Sequence, residues 1–327
     1  MTAFPQTRLR RLRRTPSLRR MFDLAMPGPE KFIWPVFVRP GVGSKEPIDA
    51  MPGQYRMSVD TLVAALEPVV ESGVGGILVF GVPDPDEKSA DGRAAAREDG
   101  VVQRAICEVR KNYPDLVICT DVCLCAYTRH GHCGPLNDSG DVDNDAANPL
   151  LAEVAASHAA AGADIVAPSA MMDGQVAAIR AALDEHRLTD TLIMSYSTKF
   201  ASAMYGPFRD AGESAPQHGD RQGYQASPGD PRTALRESEL DEAEGADLLM
   251  VKPALFYLDI LRDLRQQTKL PVAAYNVSGE YSMLIAAAER GWVDLRNAVR
   301  ESTLAMTRAG ADLIISYWAN RYEEILK

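Results

Sequence analysis

Three cysteines and a carboxylate fall together in Asp121-Val-Cys-Leu-Cys-Ala-Tyr-Thr-Arg-His-Gly-His-Cys133, at the point where an apolar run ends. The run Leu116-Val-Ile-Cys-Thr-Asp121 is short and β-branched, the composition of a strand covered on both faces. Side chains alternate along a strand, so Asp121, Cys123 and Cys125 project to one side if the extended conformation persists. The loop through Gly131 then returns Cys133 to the same point. Three thiolates beside a carboxylate make a soft-metal site with a fourth position open to water or substrate, as catalytic zinc requires. His130 and His132 rank below the thiols as ligands, because a loop histidine is more often a polar loop residue.

Disulfides are the competing use of these thiols. With five cysteines and no secretory signal, a reducing cytosol is the expected setting. Two positions apart on an extended strand, Cys123 and Cys125 have Cα atoms roughly 6.5 to 7 Å apart, at the outer limit for a disulfide. Cys107 and Cys119 read as small buried apolar residues.

Lys199 and Lys252 form a second reactive pair. Each stands just past an apolar run, Thr191 to Ser195 and Asp247 to Val251, where an ammonium ion is disfavoured. Desolvation and a second nearby cation both lower a lysine's pKa, which makes it an imine-forming nucleophile near neutral pH. Either lysine alone would read as a snorkelling or ion-paired side chain; two at adjacent strand ends point to chemistry. From Phe200 to Arg232 the chain has no Leu, Ile or Val, and a polar segment of this length leaving directly from Lys199 reads as an active-site lid, about 200–232. Arg209 and Arg221 ride on it, either clamping a substrate carboxylate or simply solvated.

The elements that must position these groups follow from eight short apolar runs: 32–38, 76–80, 116–120, 164–167, 191–195, 247–251, 271–275 and 312–316. Between them lie helical stretches at 59–71, 98–111, 147–161, 175–185, 233–244, 257–268 and 281–308, the last broken near Gly291. Gly-Ala-Asp recurs before three runs, at Gly162, Gly245 and Gly310, as a helix C-terminal turn feeding a strand. Eight alternations predict a (β/α)8 TIM barrel over 31–327, preceded by an extended N-terminal arm, 1–30. In such a barrel the strand ends build the site: Asp121 and the cysteines, Lys199, Lys252, Ser278-Gly-Glu280 and Tyr317.

The chain has 327 residues, 46% of them hydrophobic, and no apolar stretch near 18 residues, so no membrane span is expected. A net charge of −10 argues against nucleic-acid binding. The arm departs from that average, with Arg8, Arg10, Arg11, Arg13, Arg14, Arg19 and Arg20 before the first acid, Asp23. Docking of this arm on the acidic body or on a sister subunit is the economical expectation, although a transit peptide or nucleic-acid arm looks similar.

The motifs DVCLCAYTRHGHCG (121–134), YSTKFASAMYGPFRD (196–210), MVKP (250–253) and VSGEY (277–281) together closely resemble porphobilinogen synthase, also called 5-aminolevulinate dehydratase, across nearly the whole chain. The resemblance implies that two 5-aminolevulinate molecules condense to porphobilinogen, with loss of two waters, in tetrapyrrole synthesis. It implies Schiff bases on Lys252 and Lys199, with Lys252 holding the propionate-side molecule, Ser278 and Tyr317 binding that molecule's carboxylate, and Arg209, Arg221 and Gln225 binding the other. It further implies zinc on Cys123, Cys125 and Cys133, proton movement by Asp121, an allosteric magnesium at Glu237, and a cytoplasmic homo-octamer embraced by the arms. Departures are Asn276 in place of glutamine, extra lid residues around Pro216-Gln-His-Gly219, and the less polar Met21-Phe-Asp-Leu-Ala-Met26. Two rivals stand beside this expectation: another Schiff-base barrel lyase of the class I aldolase type, and a non-enzymatic thiol zinc carrier.

Overall fold

The computed structural model describes residues 3–327. Its N-terminal segment carries a 3₁₀ turn, Leu9–Arg13, and helix α1, Pro16–Phe22, capped by the Thr15 hydroxyl accepting from the Leu18 N–H. Neither buries a residue within this chain.

From there strands and helices alternate. β1 is Phe32–Val38, followed by a hairpin of β2, Lys45–Pro47, and β3, Tyr55–Met57. Next come α2 (Val59–Glu71), β4 (Gly76–Gly81), α3 (Val101–Asn112), β5 (Val117–Val122), α4 (Asn144–Ala160), β6 (Ile165–Pro168) and α5 (Gln175–Glu185). The chain continues through β7 (Leu192–Lys199), α6 (Gly206–Ala211), α7 (Pro231–Ala243), β8 (Leu248–Lys252), α8 (Leu258–Gln267) and β9 (Val272–Asn276). It ends with α9 (Ser278–Glu289), α10 (Leu295–Ala309) and β10 (Leu313–Ser316).

β1 and β4 to β10 pair in parallel in chain order, and β10 returns to β1 through Phe32–Ile314 and Ile33–Ile315, which closes an eight-stranded (β/α)8 barrel. Every residue of β1, β8 and β9 is buried, as expected for strands with side chains on one face and helices on the other. All eight apolar runs become barrel strands. The antiparallel hairpin β2–β3 is an addition to the expected elements.

The three Gly-Ala-Asp turns do more than redirect the chain. Their glycines adopt φ of 108°, 103° and 125°, a region that favours glycine. Each following aspartate accepts a backbone N–H from the preceding strand and a guanidinium from the helix that leads into that strand. Asp164 takes Ile118 N at 2.7 Å and Arg110 at 2.5 Å. Asp247 takes Ile193 N at 2.8 Å and Arg180 at 3.0 Å, and Asp312 takes Val272 N at 2.9 Å and Arg265 at 2.8 Å. These clamps lie at the strand starts, the end of the barrel opposite the reactive residues.

The segment 200–232 is more structured than its composition suggests. It contains a 3₁₀ turn, Ala203–Tyr205, and α6, and its two ends are tied together by Ala226 N donating to the Lys199 carbonyl at 3.0 Å and Ala201 N to the Ala226 carbonyl at 2.8 Å. The segment is therefore a compact excursion with its own helical turns rather than an open strap.

Candidate active site

The strand ends at the C-terminal mouth bring the reactive groups together. Lys199 and Lys252 are direct partners in the β7–β8 register. With Asp121, Cys125, Arg209 and Arg221 they line one cavity of about 20 Å³, covered by Tyr205 and Phe208 of the lid. A regular β7 would point Tyr196 and Lys199 to opposite faces. The β7–β8 pairing shifts between Ser195 and Thr198, however, and the Lys199 Nζ ends 5.4 Å from the centre of the Tyr196 ring. The irregularity therefore re-aims the lysine into the barrel. Its amine donates to the Ser169 carbonyl just beyond β6.

Lys252 is 4% exposed and sits among aromatic rings: its Nζ is 4.2 Å from the Tyr275 centre and 4.9 Å from those of Tyr196 and Phe208. Burial, and then the charge of Lys199, pull its pKa down to about 7, while Asp121 opposes the shift. Asp121 moves the other way, up to about 6, because burial outweighs the two lysines. An amine and a carboxyl that both titrate near neutrality can exchange protons with a substrate.

The sulfurs of Cys123, Cys125 and Cys133 all lie within 4.8 Å of one another, and all three residues are buried. They are the only such group of potential ligands among the described residues, and they could hold a metal ion. The Cys133 thiol is pushed well below its ordinary range, first by hydrogen bonds from Cys123 and Cys125 and then by the Arg221 and Lys199 charges. A ready thiolate amid soft donors fits a metal such as zinc. His130 and His132 stand apart from the trio: His132 is occupied by the Tyr224 hydroxyl at 3.2 Å and the His218 carbonyl at 3.0 Å, and His130 by the Ala90 carbonyl at 3.0 Å. Cys119 is buried as expected. Cys107 corrects the sequence expectation, since it lies on the exposed face of α3.

The lid arginines flank the same cavity. Arg221 is 5% exposed, donates to the Gly131 and Ser214 carbonyls at 2.9 and 2.6 Å, and leaves its Nε without a partner. Burial works against its charge, but Cys133 and Cys125 more than offset this and raise its pKa. Arg209 also has an unpartnered Nε, and burial followed by Arg221 lowers its pKa. Gln225 is buried with both amide atoms unpartnered, but it faces a neighbouring cavity of about 700 Å³ shared with Asp173, Asp230 and Glu237. Burial, followed by Asp173 and Glu244, raises the pKa of Glu237.

Ser278 and Tyr317 stand one layer behind the lysines. The Ser278 hydroxyl accepts from Phe208 N at 3.0 Å, pinning the lid to the start of α9. The Tyr317 hydroxyl pairs with that of Tyr275 at 3.3 Å, the ring nearest Lys252. Sequence reasoning missed the Ser169 carbonyl and the rings of Tyr196, Tyr205, Phe208 and Tyr275. Tyr275 ends a recognised strand run, which was a usable signal; the others depend on the β7 irregularity and on how the lid folds.

Residues 6–325 match the family model described as delta-aminolevulinic acid dehydratase. A curated relative of that description from Halalkalibacterium halodurans is 51% identical over 312 residues, covering 95% of this chain and 94% of the relative. One from Archaeoglobus fulgidus is 48% identical over 327 residues and the full length of both. The crystal structure of delta-aminolevulinic acid dehydratase (porphobilinogen synthase) from Toxoplasma gondii ME49, in complex with the reaction product porphobilinogen, superposes with a TM-score of 0.95 at 41% identity, covering 98% of this chain and 91% of that one.

Proposed function

Because the chain belongs to the delta-aminolevulinic acid dehydratase family, we propose that Lys199, Lys252 and the thiol trio divide the work of its reaction. That reaction is the hydro-lyase condensation of two 5-aminolevulinate molecules to porphobilinogen. The observation that carries the division is the direct register pairing of two lysines inside one closed cavity beside Cys125.

Each neutral amine attacks the ketone of one substrate molecule. The carbonyl oxygen leaves as water as the C=N bond forms, and the imine then draws electrons from the adjacent carbon. Lys252 holds the propionate-side molecule and Lys199 the other. Ser278 and Tyr317 bind the first carboxylate; Arg209, Arg221 and Gln225 bind the second, a role supported for the two arginines by their unpartnered Nε atoms beside the lysine cavity. Asp121 exchanges protons with the reacting carbon or nitrogen, and Phe208 and Tyr205 exclude water from the imines.

Cys123, Cys125 and Cys133 would hold zinc, which when bound supplies Lewis acidity toward the second substrate. Glu237 would hold an allosteric magnesium: its half-buried carboxylate beside Asp173 and Glu244 is a site where a hard divalent cation relieves like-charge repulsion. The basic arm, whose helical segments Leu9–Arg13 and Pro16–Phe22 bury no residue, would dock on a sister subunit of a homo-octamer. A cytoplasmic setting would keep the free thiols reduced.

Incubation with 5-aminolevulinate alone, in the presence of zinc and a thiol reductant, should give a pyrrole detectable by colour reaction. Absence of product under those conditions would overturn the assignment.

A further inference from the structure

A second small cavity is lined on one side by Cys123 and Cys125. It holds about 30 Å³ and extends from Asp121 and Tyr127 outward to His158 on α4, with Ser214 of the lid at its edge. Its walls are close-set: a Cβ at Gly81 would meet the Tyr127 hydroxyl at 2.3 Å and Val102 at 2.8 Å, so that wall has no room for a side chain.

The polar groups facing this cavity are orphaned. His158 is 2% exposed and Ser214 likewise 2%, and neither ring nitrogen of His158 nor the Ser214 hydroxyl has a protein partner. The Oδ1 of Asp121 is also without one. A buried polar group left unpaired costs about 1–3 kcal/mol, so four such atoms around one space call for a shared partner. A cavity needs only about 10–15 Å³ to admit one water, and a polar lining with several donors and acceptors is what holds it. Nothing larger fits.

We propose that this cavity is an internal water site in which His158 is a positioning residue, holding water against the Asp121 carboxyl while Ser214 closes the site from the lid. Burial keeps the imidazole neutral, its pKa lowered to about 3, so one ring nitrogen donates and the other accepts. The held water gives the unpaired Asp121 Oδ1 a hydrogen-bond donor and so fixes the carboxyl's orientation beneath the lid. The functional half of this inference rests on the condensation assigned above; the water site itself does not.

The test compares His158→Leu, His158→Gln and Ser214→Ala with wild type in the zinc-loaded enzyme. Leucine fills the space with apolar atoms and should lower kcat about 10-fold with KM within about twofold, the scale of losing a supporting polar contact. Glutamine, which retains a donor and an acceptor, should recover most of that loss, and Ser214→Ala should show the same split more weakly. High-resolution diffraction of the wild type should place ordered water between His158 and Asp121. Unchanged kcat in His158→Leu, or equal impairment of the leucine and glutamine variants, would overturn the positioning role. A dry cavity in diffraction would overturn the water site. An inactive wild type that nevertheless held the water would overturn the condensation assignment instead.

Discussion

Lys199 faces Lys252 across the β7–β8 register, and Lys252 is the more enclosed in aromatic rings. The neutral amine is the reactive form, and with a pKa of about 7 its fraction rises with pH through neutrality and levels off above. Borohydride trapping of 5-aminolevulinate on Lys252 should therefore accelerate between about pH 6 and 8. Lys199→Gln removes the neighbouring cation and should move that midpoint upward. Lys252→Met should abolish turnover. A trapped adduct mapped to another residue, or a midpoint indifferent to Lys199, would refute the pairing argument.

Cys133→Ala should lose zinc and activity together while the barrel stays folded, because the trio sits on loops at the mouth. Truncating one small buried side chain should cost on the order of 1 kcal/mol in global stability. Metal analysis, turnover and a melting curve on the same preparation decide it; retention of both zinc and activity would show the thiols to be structural.

Arg209→Ala should weaken substrate binding more than chemistry. A lost charge-assisted contact to a carboxylate is worth about 1.5–3 kcal/mol, so KM should rise roughly 10- to 100-fold with a smaller change in kcat. Steady-state kinetics across a wide substrate range would contradict this if kcat fell while KM held.

Alanine at the three Gly-Ala-Asp turns should destabilise the fold in a set order. All three glycines have positive φ, costing any other residue about 1–3 kcal/mol, but the space differs. A Cβ at Gly310 would meet Arg265 Cγ at 2.5 Å, at Gly245 Arg180 Cγ at 3.4 Å, and at Gly162 Ile106 at 3.8 Å. Denaturant midpoints should fall most for Gly310→Ala and least for Gly162→Ala, with kcat unchanged below the transition. A reversed order would mean that packing against the arginines does not set the cost.

Sedimentation with and without magnesium should show wild type shifting toward the larger assembly, Glu237→Ala ignoring the ion, and deletion of residues 1–20 failing to reach that size. A wild type indifferent to magnesium would remove the role proposed for Glu237, and a full-size arm deletion would remove that of the arm.

The barrel was legible because strands buried on both faces must be written as short apolar runs, and Phe32–Val38 and Val272–Asn276 stand out for that reason. The hairpin β2–β3 was not: Lys45–Pro47 is fully exposed, so no burial pattern marks it. The lid helix escaped notice because Gly206-Pro207 opens it and its helix is only six residues long. Lys199 and Lys252 could be paired from strand order alone, but the ring cage around Lys252 could not, since it depends on the register shift in β7 and on lid residues distant in sequence. Cys107 misled for a simpler reason: cysteine is usually buried, and nothing local in α3 says which face it takes.

The aspartate clamps have a mechanical consequence. They join β5 to β6, β7 to β8 and β9 to β10, so the barrel floor is stitched in two-strand sectors with unclamped seams between them. Both lysines belong to the β7–β8 sector, whereas Cys123 and Cys125 follow β5 in the neighbouring one. The seam between these sectors is thin, paired only at Ile165–Leu192 and Val166–Ile193. At the mouth it is crossed by the Lys199 hydrogen bond to the Ser169 carbonyl. Any opening along that seam would change the separation of the amines from the thiols more than the spacing of the two amines, which share one clamped strand pair.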